Sequence, residues 1–216
     1  MSNNTLTIGR RGLLGLAIPA FIAATSWHTA RADTGADAAA PIQRLDAALL
    51  SAMKAGRGTP FSQRYAELDP VIDQTFDLDA VLAASIGLGW AGMPSDQKTQ
   101  LIAAFRRYTV ASYTANFDNY SGQTFQIAPA VRSVGNGEVI VSTEIVGSDG
   151  TSHKLDYVMR NTASGWKAVD VLADGSISRV AVQRSDFRQL LNSGGAPALM
   201  AGLQRKVGSL SGGMLA

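Results

Sequence analysis

The sequence predicts an α+β domain, and three observations carry that expectation. Strand-like alternation is confined to residues 123–174, helical stripes lie on both sides of it, and the loops between the strands are too short for crossovers. The strand-like segments cover 124–134, 138–146, 153–160 and 166–172. They are separated by Gly135-Asn136-Gly137, Gly147-Ser148-Asp149-Gly150 and Ala163-Ser164-Gly165, which supply the residues that tight turns use at positive φ. Connections this short join antiparallel neighbours, so the expected sheet is a four-stranded antiparallel meander. Alternation puts Val139, Val141, Thr143 and Ile145 on one face with Leu155, Tyr157 and Met159 of the next strand. Glu144, Lys154, Asp156 and Arg160 fall on the opposite face. A sheet with one apolar face needs a cover, and the helices before and after it are the material available.

The first helix is expected from Pro41, in its first turn, to Gly56, with Ile42, Leu45, Leu49 and Met53 on one stripe. A second is expected from Thr59-Pro60, Thr59 acting as N-cap, to a break at Asp69-Pro70. Asp77 suits the N-cap of a third, 78–86, which ends in the turn Gly87-Leu88-Gly89-Trp90. Ser95 is the expected cap of the longest helix, 96–117, with Asp96 where the helix dipole favours an anion. Its stripe of Leu101, Phe105 and Tyr108 runs beside a second track of Tyr113 and Phe117. Two further helices, 177–192 and 196–208, are split by Ser193-Gly194-Gly195.

Residues 1–32 have the pattern of an export leader. Arg10-Arg11 precede the apolar run 13–24, and Ala30-Arg31-Ala32 supplies a small-x-small cleavage pattern. The apolar run is too short to span a bilayer, and the paired arginines look like a twin-arginine signal, with general secretory export the alternative. The expected division is a leader at 1–32, a flexible lead-in at 33–40, one domain at 41–208 and a flexible tail at 209–216. The chain has 19 basic and 17 acidic residues. Removing the three arginines of the leader leaves 16 basic residues against 17 acidic ones. The mature domain is therefore near neutral, which gives no electrostatic basis for nucleic-acid binding. With no cysteine, thiol catalysis and Cys-ligated metal are excluded.

The search for catalytic motifs returns weak candidates. His28 belongs to the leader and His153 stands at a strand edge, so one chain offers no His cluster for a metal. Ser51-Ala52-Met53-Lys54 matches the S-x-x-K box of serine acyl-transferring enzymes, but so does Ser95-Asp96-Gln97-Lys98, and neither S-D-N nor K-T-G follows. Asp33-Thr34-Gly35 occurs once, whereas an aspartic protease needs two such carboxylates. Asp69, Asp73, Asp77 and Asp79 lack the spacing of a calcium loop and suit helix capping. Asp170 shares a strand face with Trp166 and Leu172. A carboxylate there requires a partner, and Arg132 and Arg160 on neighbouring segments are the expected members of a structural ion pair.

Two blocks of sequence carry a family resemblance. Trp166-Lys167-Ala168-Val169-Asp170-Val171 continues through Gly175 and Ser178 to Arg184 and Phe187. It resembles the W-x-V-x-D-V-x-x-x-G-x-S…R-x-x-F signature of the MlaC-type (toluene-tolerance, auxiliary ABC-transport) family. Phe76-Asp77, Gly87 with Trp90, Gln97, Phe105-Arg106 and Tyr113 resemble that family's helical half. The resemblance extends over roughly residues 41–208. Ala168 and Gln183, with the Ser193-Gly194-Gly195-Ala196-Pro197 run, are most similar to its hopanoid-biosynthesis-associated branch.

The resemblance implies a soluble periplasmic carrier, monomeric and without catalytic residues, cofactor or metal. It implies an apolar cavity that holds phospholipid or hopanoid, and transient docking on inner-membrane and outer-membrane complexes. For such a cavity the expected lining is Phe105, Tyr108, Tyr113, Phe117, Val139, Val141, Ile145, Leu155, Tyr157, Met159, Trp166 and Val171. Gly175, Ser178, Arg184 and Phe187 are expected to be structural. A periplasmic hydrolase of the S-x-x-K type and a ligand-free adaptor are the alternatives.

Overall fold

The structure, a computed structural model, describes residues 29–215. Four helices precede the sheet: α1 (Thr29–Ala55), α2 (Phe61–Thr75), α3 (Leu78–Ile86) and α4 (Ser95–Asn116). Six strands follow: β1 (Thr124–Ile127), β2 (Arg132–Gly135), β3 (Glu138–Val146), β4 (Ser152–Thr162), β5 (Gly165–Ala173) and β6 (Ile177–Ser178). The helix α5 (Arg179–Leu210) ends the fold. The helices are thus segregated from one antiparallel sheet, which is the expected α+β class. Residues 1–28 of the expected leader lie outside the described residues.

The sheet differs from a simple meander. Its order is β1-β3-β4-β5-β6, with β2 also paired to β3, so six strands replace the expected four. The segment expected as one strand is two, because Pro129 has no N–H to give to the ladder. Ala128 N–H still reaches the Ser142 carbonyl at 2.9 Å; the chain then detours and re-pairs at Arg132 with Ile140. The β3–β4 register matches the expected faces, with Val139 opposite Met159, Val141 opposite Tyr157 and Thr143 opposite Leu155. All of these except Leu155 are buried, and Leu155 is half-buried.

Two prolines do not break helices where the sequence suggests. Helix α1 runs through Pro41 from well before it, and Ala38 and Ala39 are buried, so the 33–40 stretch is a helix packed on the core rather than a flexible lead-in. Helix α2 passes through Pro70, and Leu68 and Ile72 on either side of it are buried. Their burial in one core holds the helical path that a missing N–H alone would weaken. Thr59 and Ser95 do not cap: Pro60 and Pro94 occupy the N-cap positions of α2 and α4. Asp77 does cap α3, accepting from Ala80 N–H at 3.0 Å. Helix α5 bends at Gly194 and Gly195, and Gly195 has φ 63° and ψ −153°, a conformation open to glycine. The expected flexible tail is ordered through residue 215. Ser211 is buried, and Arg107 donates to the Leu215 carbonyl at 2.7 Å.

The expected Asp170 ion pair is absent. Arg132 instead reaches Asp156 (3.2 Å), and Arg160 reaches Glu138 (2.6 Å). Arg160 stands opposite Glu138 in the register, and Arg132 reaches across β3 to Asp156 of β4. Asp170 accepts from the Ser178 hydroxyl, from Val171 N–H (2.7 Å) and from Val180 N–H (3.1 Å). Ser178 Oγ in turn accepts from Ala181 N–H at 3.0 Å. Asp170 is therefore held at the N-terminus of α5, where free N–H groups and the helix dipole favour a carboxylate. The other family-pattern residues also fasten helices. Arg184 donates to the Ala84 carbonyl near the end of α3 (2.7 and 3.0 Å), and Phe187 is buried against Phe105. Asp170→Ala is expected to lower stability by about 1–3 kcal/mol through loss of these donors' partner. Arg160→Ala, whose ion pair with Glu138 is partly exposed, should cost less than about 1 kcal/mol; urea unfolding of both variants checks the order.

Candidate functional site

The space between the inner sheet face and the helices is filled by aromatic side chains in two connected rows. In the first, Tyr157 of β4 lies 6.4 Å (ring centroids) from Phe76, Phe76 5.7 Å from Tyr113, and Tyr113 is stacked 5.9 Å from Phe117. Phe117 continues to Phe125 of β1 at 6.2 Å. In the second, Tyr108, Phe105 and Phe187 join α4 to α5, with Phe105 edge-on to Phe187 at 6.1 Å. The rows arise because α4 places residues 105, 108 and 113 along one inward face. Phe76 enters from the α2–α3 junction, where it bridges Ala168 of β5 and Asp77 N–H reaches the Ala168 carbonyl at 3.0 Å.

Of the residues expected to line a cavity, Phe105, Val139, Val141, Tyr157 and Met159 are buried in this core. Tyr108, Tyr113, Phe117, Leu155, Trp166 and Val171 pack against it, half-buried. Ile145 is not brought into it: it sits opposite His153 near the far end of β3. Phe76, Phe125 and Phe187 belong to the rows but were not expected there. Phe76 precedes a helix cap and Phe125 sits on a short edge strand, so neither falls on a long periodic stripe.

The interior is nearly full. A cleft of about 80 Å³, open to solvent at Arg179, runs in beside Phe76, Phe105, Tyr113, Val171 and Gln183. Pockets for drug-sized ligands are roughly 300–1,000 Å³, so the expected lipid-sized cavity is not open in this structure. Larger concavities lie outside. One of about 700 Å³ lies between α4 and the end of α5, around Arg107, Met200 and Arg205. Another of about 700 Å³ lies on the outer sheet face, around Ile140, Val158 and Val169.

One polar residue in the interior was missed by the sequence reading. Asp46 of α1 is 7% exposed and neither carboxyl oxygen has a hydrogen-bond partner among the described residues. It shares the helical stripe of Ile42, Leu49 and Met53, and an acid interrupting such a stripe is the signal that could have found it. Burial pushes its pKa up to about 7. Its neighbourhood includes two phenols, Tyr113 of α4 and Tyr157 of β4, both of whose hydroxyl groups are enclosed. Burial raises both, and Asp46 raises them further. Arg179, near Tyr113, has the opposite effect on that phenol.

The motif candidates for catalysis are not assembled. Ser51 is exposed, and the Lys54 ammonium lies over the Tyr120 ring at 5.3 Å. Lys98 lies over Trp90 at 5.5 Å and donates to the Ala91 carbonyl. Asp69 and Asp73 pair with Arg106 at 3.2 and 3.3 Å, and Asp77 caps α3. No group of three or more His, Asp or Glu suited to a metal occurs among the described residues. His153 is exposed.

The fold and its interior define a class: a helix-covered antiparallel sheet whose inner face is mainly apolar and aromatic, with no set of catalytic groups assembled among the described residues. The family model of the MlaC protein matches residues 43–205, and this chain belongs to the MlaC family. A similar solved structure is that of a phospholipid-binding protein from Ralstonia solanacearum, in complex with a phospholipid. It aligns at TM-score 0.69 and 21% identity, over 81% of this chain and 99% of that one.

Asp46 makes stability depend on pH with a definite sign. Its pKa in the folded chain is raised to about 7 from an ordinary 3.8, so its full contribution is present below about pH 4. Stability is then lost as pH rises toward 7 and levels off above it. The loss is on the order of 2–4 kcal/mol. Asp46→Asn keeps the shape and removes the titration. Its stability relative to the native chain, measured by urea unfolding, should rise between pH 4 and pH 8.

Proposed function

We propose that this protein is an exported lipid carrier, its leader removed at residue 32, that moves phospholipid or hopanoid between membrane complexes by transient docking. The observation that supports this reading is the aromatic and aliphatic interior shared by the sheet and all five helices, in a chain of the MlaC family whose fold matches that of a protein solved with a phospholipid. The proposed lining is the part of that interior contributed by Phe105, Tyr108, Tyr113, Phe117, Val139, Val141, Leu155, Tyr157, Met159, Trp166 and Val171. Hydrocarbon enters by parting the helical cover from the sheet, since the small cleft beside Tyr113 is a point of imperfect packing from which such parting can begin.

Physical chemistry constrains the transfer step. At roughly 0.8 kcal/mol per buried CH₂, a lipid with about thirty methylenes loses on the order of 20 kcal/mol on entering bare water. Unassisted release is then too slow to be useful, and delivery requires a membrane protein that shields the chain while it crosses. A near-neutral mature surface suits brief docking over permanent adhesion to an anionic membrane.

Hopanoid is the reading favoured by two residues of the interior. Ala168, fully buried beside Phe76, stands where the broader family pattern has Val. Gln183, where many members have Tyr, lines the small cleft and accepts from the Ser85 hydroxyl at 3.1 Å. Both substitutions leave more room for a wide, rigid polycyclic frame.

Organic extraction and mass spectrometry of the protein purified from its native compartment test the proposal. Lipid at about one per chain is the expected result, with its identity separating phospholipid from hopanoid; a folded, lipid-free protein would count against a carrier. Val141→Asp, which puts a charge on the inner face, should reduce retained lipid at least about tenfold. Circular dichroism establishes that the variant is folded.

A further inference from the structure

We infer that Asp46, Tyr113 and Tyr157 form a polar subsite inside the domain that takes the hydroxyl group of a hydroxylated hydrocarbon. This assignment rests on the carrier reading and specifies what part of a ligand the interior recognises.

Three features of the site support it. Asp46 is buried, and both of its carboxyl oxygens lack a partner, although buried polar groups are almost always satisfied. An acid retained in that state on the inner stripe of a helix leaves an acceptor available for something that arrives later. Tyr113 and Tyr157, from two other elements, bring two hydroxyl groups into the same neighbourhood. Phe76 packs on both rings, so the three oxygens form a polar island within apolar walls. Tyr113 also lines a cleft of about 80 Å³ that opens beside Arg179, from which a ligand group can reach its phenol.

The chemistry selects the ligand group. A phosphate is disfavoured, because the island offers a carboxyl and two phenols; Arg179, at the cleft, is exposed to solvent. A hydroxyl can donate to the carboxyl and accept from a phenol, satisfying both with one atom. Burial also favours the uncharged acid at Asp46, which matches a neutral partner better than an ammonium that would carry its own charge into the core. The recognised molecule is therefore a long-chain or polycyclic alcohol bound hydroxyl-inward. For a phospholipid held headgroup-outward, the same island would face the acyl chains and gain nothing.

The test uses the mature protein and three probes of equal chain length: hexadecan-1-ol, hexadecane and hexadecylamine. They are supplied together from a cyclodextrin donor, and bound ligand is quantified by gas chromatography–mass spectrometry after gel filtration. The expected alcohol-to-alkane ratio for the native protein is at least about tenfold above that for Asp46→Leu, because the variant has nothing to pair with the hydroxyl. Asp46→Asn, which keeps an acceptor and a donor, should restore most of the preference. Thermal unfolding establishes that each variant is folded. Equal ratios in the native protein and Asp46→Leu, with both probes retained, would overturn the subsite and leave the carrier reading standing. Preferential retention of the amine would overturn the assignment to a hydroxyl. Retention of none of the three probes would overturn the subsite together with the carrier reading.

Discussion

The inner face of β3, β4 and β5 has to be kept from water, and how it is covered governs the rest of the molecule. The β3–β4 register puts Val139, Val141 and Thr143 against Met159, Tyr157 and Leu155, and a one-residue slip would turn all of them outward. The cover is tethered by polar contacts to particular backbone groups. Asp170 holds the start of α5, Arg184 ties α5 to the Ala84 carbonyl, and buried Arg64 ties α2 to the Thr114 carbonyl at 2.8 Å. Between the tethers the contacts on the sheet are apolar. Apolar contacts are non-directional, so hydrocarbon inserted there can take the place of side chains without leaving a hydrogen bond unmade.

Much of this was legible in the sequence because it is written in periods. Alternation along 138–146 and 153–160 gave the register and the buried face, and the stripe at 101, 105 and 108 gave α4 its inward side. What was not legible depended on contacts distant in sequence. Pro41 and Pro70 sit inside helices because the residues flanking them are held in a common core, which local propensity does not see. The two-strand break at Pro129 was readable in principle, since proline cannot serve a ladder from both sides. Asp170 needs a partner on the sequence alone, yet its partners are the Ser178 hydroxyl eight residues on, the Val180 N–H ten residues on and the neighbouring Val171 N–H. Charge complementarity pointed to arginines because they are the conspicuous partners in a list of residues, whereas helix N-terminal donors are invisible until a helix start is placed beside the strand. Asp46 was passed over for a related reason: a single acid on an amphipathic stripe is easily assigned to the solvent side.

Asp46 and Asp156 show how the two faces of the sheet differ. Asp156, on the outer face and fully buried, has Arg132 and Lys154 above it at 3.2 and 3.7 Å. Asp46, on the inner side, has phenols and hydrocarbon. The outer face thus pairs one oxygen of its buried acid by charge, Asp156 Oδ1 being left without a hydrogen bond, whereas on the inner side neither oxygen of Asp46 is paired among the described residues.

The closed interior also bears on how a carrier of this fold can unload. A pocket of roughly 300–1,000 Å³ held open and empty would cost on the order of 7–24 kcal/mol, at about 24 cal/mol per Å³ of residual cavity. An empty chain therefore collapses, and the aromatic rows, with rings packed at 5.7–6.4 Å, are what it collapses onto. That recovery is of the same order as the hydrocarbon burial the ligand gives up. On the carrier reading proposed above, loading and unloading would be an exchange of one apolar filling for another, with a difference small enough for a docking surface on a partner to set the direction.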